Sequence, residues 1–142
     1  MYVLIVGAGR VGSSIARWLL AGDHEITIID NDPQRCSAIE DELGGVVVMG
    51  DATEATILAR AGASRADLLI ATTRRDDENL VACQLAKHRF GAQKVVALVN
   101  VPEHVELFAR LGIDVTVNVT ELLVDRIQED LAEMMVEDVG GF

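Results

Sequence analysis

The hexapeptide Gly7-Ala8-Gly9-Arg10-Val11-Gly12 constrains this chain more than any other feature. It follows directly on the apolar run Tyr2-Val3-Leu4-Ile5-Val6 and opens an amphipathic stretch that stops near Ala21, at Gly22-Asp23. A continuous β-rich run predicts a strand buried on both faces. Three glycines at this spacing are a weak signal alone and a specific one between such a strand and a helix. The first makes the tight turn, the second lets backbone approach a pyrophosphate, and the third lets helix and strand pack closely. The helix start then offers unpaired N–H groups and the positive end of its dipole.

The rest of the chain repeats the plan. Glu25 to Ile29 is the second strand; Asp32-Pro33 starts a helix, with a capping Asp before Pro, that reaches Leu43 and stops at Gly44-Gly45. Val46 to Met49 is the third strand, and a short helix near Glu54 to Ala61 leads to the fourth, Asp67 to Ala71. Thr73-Arg74-Arg75-Asp76 reads as a capping box opening a helix to about Phe90. Lys94 to Val99, a helix from Pro102 to Leu111, and Ile113 to Val117 complete six strands. Strands alternating with helices predict an α/β fold, a Rossmann-like doubly wound six-stranded parallel sheet. Right-handed crossovers give the order 3-2-1-4-5-6, and ligands in such sheets bind where the order reverses. The expected division is a nucleotide-binding domain over residues 1–119 and an amphipathic helix and tail over 120–142. That surplus helix, Thr120 to about Met135, carries Leu123, Ile127, Leu131 and Met134 as a stripe, with acids opposite. Its ending, Val139-Gly140-Gly141-Phe142, reads as a cut rather than a terminus.

Composition removes several functions. Twelve Lys and Arg against 23 Asp and Glu leave a net charge of −11, which disfavours nucleic acid and anionic lipid as general partners. Two separated cysteines, Cys36 and Cys83, suggest a reducing, cytoplasmic setting and core positions. No apolar run approaches the roughly 20 residues a spanning helix needs. The chain of 142 residues has no room for a second, substrate-binding domain. His24, His88 and His104 are scattered without metal-ligand spacing, and Trp18 reads as a packing residue of the first helix.

The candidate site gathers at the sheet reversal. Asp30, 23 residues after Gly7 at the end of the second strand, can accept from a ribose 2′-OH and 3′-OH and repels a 2′-phosphate. Asp51 follows the third strand, where it can accept from an adenine amino group or cap the next turn. Arg10 faces either phosphate or solvent; Thr72 and Thr73 line the opposite wall; Asp76 and Asn79 stand in the next helix's first turns, within reach of a second ribose or phosphate.

In order and spacing, the glycine loop, Ile28-Ile29-Asp30-Asn31-Asp32, Gly50-Asp51-Ala52-Thr53 and Ala71-Thr72-Thr73-Arg74-Arg75-Asp76-Asp77-Glu78-Asn79 resemble the RCK domain, also called KTN or Trk N-terminal domain. The resemblance covers nearly the whole chain. It implies a cytoplasmic regulator rather than an enzyme: a module that binds NAD(H), ATP, ADP or AMP and gates a membrane-embedded potassium transporter or channel through a homodimer or larger ring, at the inner face of the membrane. By position, Gly7, Gly9, Arg10 and Gly12 would face phosphates, Asp30 the adenosine ribose, Asp51 the adenine edge, and Thr72 and Thr73 the far side, with Val11, Asn31, Ala52 and Asn79 also counted among the cofactor-binding residues. The helix from Thr120 would be the family's crossover helix. Two departures stand out: Asn100 replaces a basic residue of some relatives, and the chain stops before the C-terminal lobe many relatives carry. The competing functions are a small NAD-dependent oxidoreductase and the same module serving another cation transporter.

Overall fold

A computed structural model describes residues 1–140, with side chains described through Val136; Gly141, Phe142 and the side chain of Val139, part of the expected cut end, lie outside the described residues. Six strands, β1 (Tyr2–Val6), β2 (Glu25–Asp30), β3 (Val47–Met49), β4 (Leu68–Ala71), β5 (Lys94–Val99) and β6 (Val115–Asn118), form one sheet in the order β3-β2-β1-β4-β5-β6. Every pairing is parallel: Val6 stands beside Ile29 on one side and Ala71 on the other. The ends of β1, β2 and β4 are therefore level, and the loops that follow them meet.

The alternation of β1 decides which helices cover which face. Tyr2, Leu4 and Val6 join one core with Ile57 and Leu58 of α3 (Ala55–Arg60), Ala82 and Cys83 of α4 (Asp76–Gln84), and Phe108 of α5 (Val105–Arg110). Val3 and Ile5 join the other with Ala16 and Leu19 of α1 (Arg10–Ala21) and Ile39 of α2 (Pro33–Leu43). This second layer has only two helices, so coverage thins toward β6: Val96, Leu98 and Val117 stay half-buried and Val115 is exposed. Helices lie on both faces as a doubly wound sheet requires, with the thinnest cover at the β5–β6 edge.

Local differences from the sequence expectation have identifiable causes. Asp32 caps α2 as expected, accepting from Gln34 N at 2.9 Å with Pro33 behind it. The Thr73 capping box does not form. Helix α4 starts after Arg75 with no side-chain cap, because the Asp76 carboxylate is taken by β5's loop and the Thr73 hydroxyl by Asn79. The helix ends as a π-helical turn, Leu85–Arg89, in which Phe90 N donates to Leu85 O at 3.2 Å. Trp18 does not pack: α1 buries Gly12, Ser13, Ala16 and Leu19, and position 18 projects off that face at 74% exposure. The last helix, α6 (Val119–Gly140), leaves the body with its apolar stripe in solvent, Ile127 57% and Leu131 46% exposed.

Candidate functional site

One crevice of about 900 Å³ opens at the strand ends where the order reverses. It is bounded by the glycine loop, by the ends of β2 and β3, by Thr72 to Arg75 and, at its apolar end, by Leu98, Val117, Leu122 and Leu123.

The three loop glycines do different work. Gly7 has φ +106°, and a Cβ there would stand 2.8 Å from Thr72 Oγ1. A Cβ on Gly12 would overlap Gly7 O outright, so Gly12 lies beneath the loop and does not line the crevice. Gly9 is the reverse: nothing lies within 4 Å of its would-be Cβ. Its bareness relieves no protein contact and leaves the approach to the backbone open to a phosphate. Helix α1 begins there with no side-chain cap, and its first backbone bond is Ser13 N to Gly9 O at 2.9 Å. The N–H groups of Arg10, Val11 and Gly12 thus lack intrahelical acceptors. An uncapped helix start beside open space fits a nucleotide's phosphates.

Asp30 holds the loop in place. Its Oδ2 accepts from Ala8 N at 2.7 Å and its Oδ1 from Asp32 N at 2.8 Å, with only 6% of the side chain exposed. Each carboxylate oxygen takes two bonds, so one position on each remains for ribose hydroxyls. Arg35 Nη1 lies 3.8 Å from Oδ2. Asn31 is exposed on the rim. Asp51 Oδ1 accepts from Thr53 N at 2.9 Å and from Thr53 Oγ1 at 2.7 Å, so the capping alternative describes that oxygen; Asp51, buried Ala52 and Thr53 all line the crevice. The helix that follows has Glu54, not Asp51, at its N-cap position, with no side-chain cap.

Across the crevice, Thr72 N and Oγ1 both donate to Val6 O at 2.8 Å, which laces this wall to β1. Thr73 N donates to Asn79 Oδ1 at 3.0 Å, and Thr73 O accepts from Asn79 Nδ2 at 3.0 Å. Asn79 is fully buried, and its amide also donates to Leu98 O. With its polar atoms spent inside the protein it braces the wall; the expectation that it reaches a second ribose or phosphate does not hold. Asp76 is corrected likewise. Its Oδ1 accepts from Asn100 N at 2.8 Å, and its Oδ2 accepts from Val101 N at 3.0 Å and pairs with His104 Nδ1 at 2.8 Å. Burial acts to raise its pKa, but the donors from Asn100, His104 and Val101 outweigh it and hold the carboxyl below its usual range. His104, half-exposed, thus anchors to the buried Asp76 carboxylate. Burial pushes the Cys36 thiol up and Cys83 up to about 12, so both are unreactive filling.

Several crevice residues were absent from the sequence-based set. Arg35, Thr53, Arg74, Arg75 and Glu78 lie in loops or first helical turns beyond strand ends, where reading outward from each predicted strand finds them. Leu122 and Leu123 carry no such signal, since only the departure angle of α6 brings them there. Among the described residues no group of three or more His, Cys, Asp or Glu could hold a metal. No described helix is long and apolar enough to cross a membrane.

Comparison with known proteins gives the family and agrees with the fold. Residues 3–119 match the family model of the TrkA-N domain. The chain is 38% identical over 114 residues to a Trk system potassium uptake protein TrkA homolog of Methanothermobacter thermautotrophicus. That match covers 80% of the chain and 52% of the relative, so the chain spans about half that protein's length. The Kef CTD of Shewanella denitrificans in its AMP-bound form superposes with TM-score 0.78 at 29% identity, covering 94% of this chain and 82% of that one. The GsuK channel bound to NAD superposes with TM-score 0.77 at 25% identity, covering 86% and 22%.

Proposed function

The chain belongs to the TrkA-N domain family, and on that premise we propose that it is a nucleotide-sensing regulatory domain for potassium transport. The ligand is NAD(H) or an adenine nucleotide, ATP, ADP or AMP. The observation that carries this reading is the crevice itself: an uncapped α1 start beside the bare side of Gly9, with Asp30 braced at ribose position. Relatives of the same fold solved with AMP and with NAD support it.

The mechanism is linkage. The start of α1 and Arg10 hold the phosphates, Asp30 takes the ribose, and Asp51 meets the adenine edge. The first turn of α6 borders the same crevice through Leu122 and Leu123. A bound nucleotide therefore touches both the sheet and the helix that leaves it, and it favours whichever helix angle suits it. In this reading residues 1–119 sense, and residues 120–142 transmit to a second copy of the chain and on to a membrane-embedded transporter or channel at the cytoplasmic face. No bond is broken.

A thermal-shift panel over NAD+, NADH, ATP, ADP and AMP tests the reading. Ligand at about 100 times its Kd adds about 2.7 kcal/mol, enough to raise Tm by several degrees. No shift with any of them would overturn it.

A further inference from the structure

Arg35 lines the crevice from the first turn of α2, beside Asp30. Its Nη1 lies 3.8 Å from Asp30 Oδ2 and its Nε 3.8 Å from Asp32 Oδ2. Both distances exceed hydrogen-bond reach. Among the described residues the side chain makes no hydrogen bond to protein, so its five N–H donors are free. Other arginines are committed: Arg17 Nε donates to Glu42 at 2.8 Å and Arg65 Nη2 to Glu25 at 2.9 Å. Arg35 does nothing for its own helix either, because a cation at a helix start opposes the dipole.

Asp30 is the opposite case. Ala8 N and Asp32 N hold its two oxygens, and its side chain is buried, so it cannot swing away from a ligand. A phosphate esterified to the ribose 2′-oxygen would stand against this fixed negative charge. Arg35 is within 4 Å of the same carboxylate oxygen, more than half exposed, and held by charge alone. It can turn to such a phosphate without breaking a hydrogen bond, and a guanidinium grips phosphate through two parallel bonds.

We propose that Arg35 admits a phosphate on the adenosine ribose 2′-oxygen, so that the crevice takes NADP(H) as well as NAD(H): the guanidinium moves from Asp30 and Asp32 onto that phosphate and offsets the repulsion from Asp30. This rests on the nucleotide reading of the crevice and goes beyond it by adding a 2′-phosphorylated class of ligand and the residue that selects it.

Calorimetric titration of the chain with NAD+ and NADP+ tests it, because the two differ only in the 2′-phosphate. The wild type should bind both, NADP+ within about tenfold of NAD+. Arg35→Ala should cost NADP+ about tenfold or more, the scale of a charge-assisted hydrogen bond, and NAD+ less than about twofold. Arg35→Lys should restore part of the loss. Arg60→Ala, which removes the same charge outside the crevice lining, should leave both affinities in place. NAD+ binding without NADP+ binding, equal losses for the two in Arg35→Ala, or no loss of NADP+ would each overturn the assignment while NAD+ binding left the crevice reading standing. A wild type that binds AMP or ATP but neither dinucleotide would likewise overturn this proposal alone. One that binds none of the four would overturn the nucleotide reading and this proposal with it.

Discussion

At the scale of single residues, the site depends on atoms that are already committed. Gly12 is the most exacting. Any side chain there collides with Gly7 O, and an acid would also put a negative charge at the helix start proposed to hold the phosphates. Gly12→Asp should abolish nucleotide binding and lower Tm; unchanged affinity by calorimetry would contradict the loop's role. Asp30 combines two duties, since the carboxylate that would accept ribose hydroxyls also receives Ala8 N and Asp32 N. Asp30→Ala should weaken NAD+ by roughly 1.5–3 kcal/mol, the scale for a hydrogen bond to a charged group, and weaken NADP+ less because a repulsion is also removed. Equal losses, measured by titration of both dinucleotides, would show that Asp30 does not read the 2′ position. Asp76 belongs to stability instead. Its folded pKa is depressed, so its contribution is fully present above the unfolded value near 3.9 and is lost as pH falls through the folded value. Asp76→Asn should lower Tm at neutral pH and flatten the fall in stability below about pH 4. Parallel wild-type and variant acid profiles in circular dichroism would contradict this.

At the scale of elements, α6 is, among the described residues, a helix whose apolar stripe has no partner. Its 22 residues are attached through Asn118 Oδ1, which accepts from Glu121 N at 3.0 Å, and through Thr120 against Asn100 O. Beyond that turn, Leu123, Ile127, Leu131 and Met134 remain exposed, and so does part of the β5–β6 face. An apolar helix stripe and an incompletely covered apolar sheet edge in one chain favour a two-fold exchange between copies. Burying a Leu or Ile is worth about 1.5–3 kcal/mol. Ile127→Asp with Leu131→Asp should therefore convert a dimer or ring to smaller species in light scattering, with nucleotide affinity per chain nearly intact. Leu123→Asp should disturb both properties, because Leu123 also borders the crevice. A wild type that is monomeric at high micromolar concentration would contradict the exchange. The amphipathic pattern of α6 was readable as letters, but its direction of departure was not. A helix of 22 residues could lie back on the sheet or leave it, and only the packing of the first turn decides.

At the scale of the whole molecule, the sheet order was legible because each strand is a short apolar run and each break is chemically marked. The level strand ends follow from that order, and with them the crevice and the places of Gly7, Gly9, Asp30, Asp51 and Thr72. What stayed hidden was competition for polar groups between distant segments. Asp76 and Asn79 look available when α4 is read alone. The structure gives them to Asn100, Val101 and Leu98 at the end of β5, which no local pattern announces. Arg74 stayed hidden for the opposite reason: it looks like a loop charge until the wall it stands on is placed across from the glycines. The central claim is that a nucleotide binds in this one crevice, phosphates at the start of α1 and ribose at Asp30. An amide NMR titration with AMP, ATP and NAD+ tests it most directly. The account predicts the largest shifts at Gly9, Arg10, Val11, Asn31 and the Asp51–Thr53 turn; saturation with shifts confined to other segments, or no shifts at all, would contradict it.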